Sequence, residues 1–342
     1  MAFVIDSRPL IRGDWLHLAD SRFYRSVAHA FGCYLHGRRD RQQPPADVGD
    51  PATAELVILV HNTMFGALPT DHAADLPPGC AFTVNRQYAD KAAAVVFHIP
   101  TLWQLPRVKR RGQLWVGWSM ESEENYPQLI DPALLGRLDL MMTYRLDSDI
   151  PATYVTGGQV PDWSLPPDKK SSERLCAVLI SHKDRLSGRV AYVKELMRHA
   201  DIHSYGKILN NRALPSQDEG PTTKLKLLRS YKFALAFENS ICRDYVTEKL
   251  FQPLMTGCVP VYRGAPNVED FMPGDHCYIN AADFASPQQL AEYLQHLDRD
   301  DQAYAEYFAW KARPLRAGFL RLQELAGQSA GERLCRLLRA RM

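Results

Sequence analysis

The run from Phe237 to Lys249 concentrates the groups of this chain that could do chemistry. It reads Phe-Glu-Asn-Ser-Ile-Cys-Arg-Asp-Tyr-Val-Thr-Glu-Lys and holds an amide, several carboxylates, two cations and a phenol. An apolar segment, residues 231–237, leads into it, and a helical pattern, residues 250–257, follows it. Ligands of α/β sheets bind beyond the carboxyl ends of the strands, and a helix N-terminus there offers free N–H groups to an anion. The run therefore predicts a site for a ligand that carries phosphate.

Apolar segments alternate with helical patterns along the chain, which predicts an α/β fold. The segment Leu56-Val-Ile-Leu-Val-His is apolar almost throughout, as strands are when a sheet is covered on both faces. Strands are predicted to begin at Leu56, Ala81, Ala94, Gln113 and Leu140 in the first half and at Leu175, Ile202, Tyr231, Val259 and Cys277 in the second half. The strand that ends at Phe237 would place the polar run at the carboxyl edge of its sheet.

Spacing and caps predict the helices. Apolar residues recur at four-residue steps over residues 23–35, a second helical pattern covers about 189–199, and a third begins behind the cap Ser286. The helix predicted over 250–257 contains Pro253, which should kink or shorten it because proline lacks the N–H that continues a helix.

A stretch rich in Gly, Pro, Ser and charge, residues 157–172, interrupts this alternation. It predicts an N-terminal domain over 1–160 and a C-terminal domain over 170–311, followed by a basic helical tail over 312–342. Two successive α/β units favour two Rossmann-like domains that face each other across a cleft.

The composition disfavours several classes of protein. The 342 residues suit two domains of roughly 150 residues each. Because 41 basic residues face 39 acidic ones, a nucleic-acid partner held by bulk charge is disfavoured. The seven cysteines contain no C-x-x-C pair, which disfavours a disulfide framework or a structural zinc and favours a reducing compartment. Neither a signal peptide nor a continuous apolar span is found, so we expect a cytoplasmic protein, with the basic tail contacting the inner membrane peripherally.

Seven segments of the chain, in order, carry a resemblance to a known family. The strongest three are Lys232-Phe-Ala-Leu-Ala-Phe-Glu-Asn-Ser, Arg243-Asp-Tyr-Val-Thr-Glu-Lys-Leu and Gly257-Cys-Val-Pro-Val-Tyr-Arg-Gly. The others are Ala94-Val-Val-Phe-His, Met120-Glu-Ser with Asn125-Tyr-Pro, Met142-Thr-Tyr-Arg-Leu-Asp-Ser-Asp, and Tyr278-Ile-Asn with Asp283-Phe. Together they span roughly residues 94–284. The chain resembles the α-1,3-fucosyltransferases, glycosyltransferase family ten.

The resemblance implies a GT-B fold, with the donor GDP-β-L-fucose held mainly by the C-terminal domain and a glycan acceptor by the N-terminal domain. It also implies inverting transfer of L-fucose to the 3-hydroxyl of N-acetylglucosamine in a lactosamine-type glycan, such as a lipopolysaccharide precursor or a free oligosaccharide. Inversion needs a general base opposite the leaving group. The departing pyrophosphate needs cations or helix N–H groups in a cleft that excludes water.

Glu121 matches the base of the family's Met-Glu-Ser motif. It follows the strand predicted at Gln113, so it should emerge at that strand's carboxyl end and face the cleft. Where the family usually has Pro after the Ser, this chain has Glu123. That departure leaves Glu123 and Glu124 as rival bases.

The resemblance also implies a donor-binding set. Lys249 and Arg189 match pyrophosphate cations, while Asn239, Tyr245 and Glu248 match contacts to fucose, pyrophosphate and ribose. The structural alternatives are a turn cap for Asn239, a helix cap for Thr247 and a core position for Tyr245. With weaker candidates included, the predicted set is Ser181, His182, Arg189, Asn239, Arg243, Tyr245, Thr247, Glu248 and Lys249, and Lys224 is a further candidate.

Asp147-Ser-Asp149 has the D-x-D form of the metal site found in the other large glycosyltransferase fold. Because the family carries the same tripeptide, we expect a structural or acceptor-side role and no required metal or cofactor, with room for stimulation by a divalent ion. An oxidoreductase is disfavoured because no strand is followed by G-x-G-x-x-G. The open alternatives are an α-1,4 or mixed α-1,3/1,4 fucosyltransferase, a metal-dependent D-x-D glycosyltransferase and, last, a non-catalytic sugar-binding protein.

Overall fold

The computed structural model describes residues 44–70, 76–155, 163, 170, 174–181, 186–214 and 220–342. The helix predicted over 23–35 and the candidate His182 lie outside these residues. Within them the chain forms two parallel β-sheets with helices packed around them.

The N-terminal sheet is built from β1 (Leu56–Asn62), β2 (Cys80–Thr83), β3 (Ala94–His98), β4 (Leu114–Ser119), β5 (Leu140–Thr143) and β6 (Ile150–Pro151). Its strand order is β2-β1-β3-β4-β5-β6, and every pairing is parallel. The first five strands were predicted from their apolar runs, and nearly all of their residues are buried. Parallel strands bring their carboxyl ends to one edge, so the segments after β4 and β5 meet there.

The C-terminal sheet is built from β7 (Cys176–Val178), β8 (Ile202–Ser204), β9 (Phe233–Phe237), β10 (Val259–Arg263) and β11 (Ile279–Asn280). Its order, β11-β10-β9-β7-β8, places β9 at the centre, and all pairings are parallel. The polar run identified in the sequence therefore begins at the carboxyl end of the central strand.

The helices of the described residues are α1 (Pro132–Leu135), α2 (Arg189–Leu196), α3 (Pro221–Arg229), α4 (Glu248–Met255), α5 (Pro287–Arg299), α6 (Asp301–Glu306), α7 (Ala317–Ala326) and α8 (Ala330–Arg339). Ser286 caps α5 as predicted, accepting from the N–H of Gln289. Helix α4 begins two residues earlier than predicted because Thr247 caps it, and it ends two residues beyond Pro253.

The predicted tail is divided between the two domains. In α7, Phe319 packs edge-on against Trp163, at 5.1 Å between ring centroids, within the C-terminal core. In α8, Leu334, Cys335 and Leu338 are buried against the N-terminal sheet. The tail predicted over 312–342 is therefore not one separate unit.

No helix of the described residues has the length and apolar character needed to cross a membrane. The cytoplasmic location and the peripheral membrane contact stay predictions.

Candidate active site

Glu121 lies two residues beyond β4, at the carboxyl edge of the N-terminal sheet. Its backbone is fixed by Ser119, whose hydroxyl donates to the Glu121 carbonyl at 3.0 Å and accepts from its N–H at 2.9 Å. Its Oε2 accepts a hydrogen bond from the Tyr245 hydroxyl of the C-terminal domain at 3.3 Å. Burial raises the pKa of Glu121, while Tyr245 and the positive charge of Lys249 act in the opposite direction. A carboxylate of the N-terminal domain is thus held at the polar run of the C-terminal domain.

The two rival carboxylates are engaged elsewhere. Glu123 accepts a hydrogen bond from the Tyr144 hydroxyl. Glu124 accepts from the Ser240 hydroxyl at 2.9 Å and from the Ile241 N–H at 3.1 Å, which joins the two domains. Both carboxylates are thus held by donors within the protein.

Lys249 occupies the first turn of α4, where the helix dipole disfavours a cation. Two carboxylates offset this cost, because Lys249 Nζ lies 3.4 Å from Glu238 Oε2 and 3.3 Å from Glu248 Oε1. Lys249 Nζ also donates a hydrogen bond to Thr247 Oγ1 at 2.9 Å. Burial acts to lower the pKa of Lys249, but Glu238 and Glu248 outweigh it and raise that pKa. The ammonium group therefore stays charged although most of the side chain is buried.

Glu238 was not predicted as a site residue. It directly follows β9 and is fully buried, where it accepts from the Thr247 N–H at 2.8 Å and from the Thr247 hydroxyl at 2.9 Å. Burial raises its pKa and the charge of Lys249 lowers it. The sequence did offer a signal for Glu238, namely its position between the apolar strand and Asn239. A carboxylate at such a buried position must have polar or charged partners. Gly264 leaves room for it, since a Cβ at that position would lie 2.6 Å from Glu238 Cγ.

Arg189 is 3% exposed and begins α2 at the carboxyl edge of the same sheet. Its Nη1 donates to the carbonyl of Phe237, the last residue of β9, at 3.2 Å. Its positive charge acts to lower the pKa of Lys249, the other cation that matches a pyrophosphate contact. Arg263, at the end of β10, is a further cation at this edge that was not predicted, and it donates to the carbonyl of Ser187.

Lys224 and Glu248 complete the charged cluster. Lys224 Nζ lies 3.8 Å from Glu248 Oε1, and burial lowers the pKa of Lys224. Burial acts to raise the pKa of Glu248, but the charges of Lys249 and Lys224 outweigh it and lower that pKa. Glu248 is therefore a stable hydrogen-bond acceptor.

Asn239 and Tyr245 combine structural and site features. Asn239 Oδ1 is buried without a hydrogen-bond partner among the described residues, and buried polar groups are normally satisfied. The Tyr245 ring is 2% exposed and packs between Tyr144 and Tyr154, with centroids 5.0 and 6.2 Å away. Its hydroxyl still reaches Glu121, so the core role does not exclude a role in the site.

Two family models match this chain. "Fucosyltransferase, N-terminal" matches residues 53–155, and "Glycosyltransferase family 10 (fucosyltransferase) C-term" matches residues 169–341. The 4-galactosyl-N-acetylglucosaminide 3-alpha-L-fucosyltransferase FUT6 of Pan troglodytes is 36% identical over 316 residues, which cover 84% of each chain. The chain belongs to glycosyltransferase family 10.

Other relatives are named as protein O-fucosyltransferases. GDP-fucose protein O-fucosyltransferase 3 of Bos taurus is 34% identical over 281 residues, 77% of this chain and 56% of the relative. The chain spans about half the length of these relatives. A crystal structure of an alpha1,3-fucosyltransferase superposes with a TM-score of 0.51 at 14% identity, over 81% of this chain and 90% of that one. This likeness confirms the predicted GT-B fold.

Some of the predicted residues of this family 10 chain do not join the cluster. Ser181 follows β7 and is exposed. Arg243 is exposed and lines a different cavity, of about 510 Å³, together with Arg316 and Arg321. His182 lies outside the described residues.

The D-x-D tripeptide is engaged within the protein. Asp147 forms a two-pronged ion pair with Arg145, at 2.8 and 2.7 Å, and Asp149 accepts from the Met141 N–H at 2.8 Å. Across the described part of the chain, no group of three His, Cys, Asp or Glu side chains is arranged to hold a metal ion. The predicted absence of a metal requirement stays a prediction.

Proposed function

We propose that this chain is an inverting fucosyltransferase that moves L-fucose from GDP-β-L-fucose to the 3-hydroxyl of N-acetylglucosamine in a lactosamine-type glycan. The hydrogen bond between Glu121 and Tyr245 carries the proposal. It brings a carboxylate of one domain to the cationic cluster of the other, and a displacement across a cleft needs a base and a leaving-group site opposed in this way.

Glu121 is the proposed base. A carboxylate whose pKa is raised by burial accepts a proton more readily than an exposed one, and Tyr245 holds its orientation. As the acceptor oxygen forms its bond to the fucose anomeric carbon, its proton passes to Glu121 and the bond to the GDP oxygen breaks. Attack from the face opposite the leaving group converts the β linkage of the donor into an α linkage.

The departing diphosphate would be stabilised from the C-terminal domain. Lys249 and Arg189 supply positive charge, and both are more than three-quarters buried, where charge acts strongly because water is excluded. Glu248 stays ionised and can accept hydrogen bonds from ribose hydroxyls, while the unsatisfied Asn239 Oδ1 can accept one from the donor sugar.

The comparisons favour a glycan acceptor, because the match to FUT6 covers 84% of both chains. A second candidate is transfer to a protein hydroxyl, which the likeness to GDP-fucose protein O-fucosyltransferase 3 favours. We further propose a reducing, cytoplasmic setting, which is supported by six buried free cysteines among the described residues.

The test supplies GDP-fucose with lactose, type 1 and type 2 lactosamine, and an unglycosylated protein acceptor, and determines linkage by NMR. Wild-type protein should fucosylate the 3-hydroxyl of type 2 lactosamine. Glu121→Gln should abolish turnover while GDP still binds, whereas the matched control Glu306→Gln, which makes the same change on the exposed surface of α6, should retain wild-type turnover. If Glu121→Gln turned over at nearly the wild-type rate, Glu121 would not be the base. Fucosylation of the unglycosylated protein acceptor alone would favour the second candidate.

A further inference from the structure

A cavity of about 310 Å³ opens at Glu121 on the side facing the N-terminal domain. One wall comes from the segment that follows β4, and the other from the end of β5 and the loop that leads to β6. Its volume is at the lower end for ligand pockets, which suits one or two sugar units. An acceptor hydroxyl must come within hydrogen-bond reach of the base, and this cavity leads to it.

The first wall has an apolar part. It presents Leu129, Ile130 and Leu135, and the Ile130 side chain is 62% exposed. Large exposed apolar side chains beside a pocket mark a binding surface when they are grouped. The C–H face of a pyranose or the methyl group of an acetamido substituent would cover them.

Both walls also carry negative charge. Four carboxylates line the cavity, those of Glu121, Glu123, Asp147 and Asp149, whereas Arg145 is the one cation among its described lining residues. That guanidinium is paired with Asp147 and lies 3.8 Å from Glu123. Four negative charges and one positive charge leave a formal charge of −3.

We propose that this cavity holds the acceptor sugar and selects neutral acceptors over those with a carboxylate, sulfate or phosphate group on the sugar that enters it. The inference rests on the proposed function. Carboxylate oxygens accept hydrogen bonds from sugar hydroxyls, but an anionic substituent meets like charge at close range. The apolar part of the first wall supplies contact area, and the four carboxylates supply the discrimination.

Two measurements test the selectivity, and both compare type 2 lactosamine with the same sugar sulfated on its N-acetylglucosamine. Calorimetric titration in the presence of GDP gives the binding preference without turnover, and kcat/KM gives the preference in catalysis. Wild-type protein should prefer the neutral sugar by about tenfold or more at low salt, and the preference should shrink as salt is added.

Asp147→Asn should reduce that preference by about fivefold, because it removes one negative charge and leaves Arg145 less neutralised. The matched control Glu306→Gln makes the same charge change on the exposed surface of α6 and should leave the preference unchanged. Ile130→Ala should weaken binding of both sugars equally. Equal binding of the two sugars by the wild-type protein, or no change with Asp147→Asn, would overturn the inference. Binding preference without transfer to either sugar would instead refute the proposed function while supporting the acceptor pocket.

Discussion

The buried pair of Glu238 and Lys249 yields a prediction that separates stability from catalysis. Lys249→Ala removes the cation 3.4 Å from a fully buried carboxylate that then keeps only the donors of Thr247. Breaking a buried ion pair in this way costs about 3–5 kcal/mol. We expect the lower end, about 3 kcal/mol, because the Lys249 side chain is 22% exposed and Glu238 keeps two hydrogen bonds. The melting temperature should fall by about 5–10 °C.

The loss of stability in Lys249→Ala should depend on pH. Burial raises the pKa of Glu238 and Lys249 opposes that rise, so the pKa of Glu238 should rise further in Lys249→Ala. A carboxyl group with a higher pKa in the folded protein than in the unfolded chain makes the folded state bind more protons. Stability then falls as pH rises through that range and recovers in acid. Thermal melts from about pH 5 to about pH 8 should show the largest loss at the alkaline end.

The control is the neutral pair Glu238→Gln with Lys249→Met. Replacing both charges removes the uncompensated carboxylate, so the double variant should regain much of the stability lost in Lys249→Ala. Its affinity for GDP, measured by calorimetry, should stay low because the double variant lacks the Lys249 ammonium group that is proposed to bind the diphosphate. A Lys249→Ala protein that melts like wild type, or loses stability equally at every pH, would refute the reasoning about the pair. GDP affinity restored in the double variant would refute the phosphate role.

Three further predictions address the base, the domain contact and the metal. Tyr245→Phe removes a hydrogen bond to the charged form of Glu121, so the acid limb of the kcat/KM profile should move to higher pH. Turnover at neutral pH should fall about tenfold. An unchanged pH profile would contradict this prediction. Glu124→Ala leaves the Ser240 hydroxyl and the Ile241 N–H without their acceptor. Urea unfolding should show a loss of about 1–3 kcal/mol in the free energy of unfolding. Glu124→Gln keeps one acceptor oxygen and should lose less. Turnover should persist in excess EDTA, and complete loss that manganese restores would instead indicate a metal at the D-x-D tripeptide.

The strands were the most predictable part of the fold. The strand predicted to begin at Ala94 is observed as β3, Ala94–His98, because a strand buried on both faces is apolar at every position. Four elements were not predicted, namely β6, α1, α3 and α6. Strand β6 has two residues and no detectable period, and α3, Pro221–Arg229, is mostly polar, with Leu227 and Leu228 among its few buried side chains.

Within the site, predictability ended where geometry depends on contacts distant in sequence. The strand preceding Glu121 predicted its place at the carboxyl edge of the N-terminal sheet, two residues beyond β4. Arg243 belongs to the same polar run as Tyr245 but lines another cavity, because Asp244 between them has a positive φ of 64°. That turn is held by the side chain of Asn267 and by the N–H of Leu146, and no local pattern in the sequence predicts these partners.

The return of α8 to the N-terminal sheet has a consequence for how the protein is made. Leu334 and Cys335 cover a surface that includes Leu56 and Phe82, and Gly331 fits where a Cβ would lie 2.8 Å from a side-chain carbon of Thr70. During synthesis the sheet emerges from the ribosome long before α8, so this apolar surface must wait uncovered while the C-terminal domain is being made. The domain that is translated first is therefore completed last, when α8 docks on its sheet.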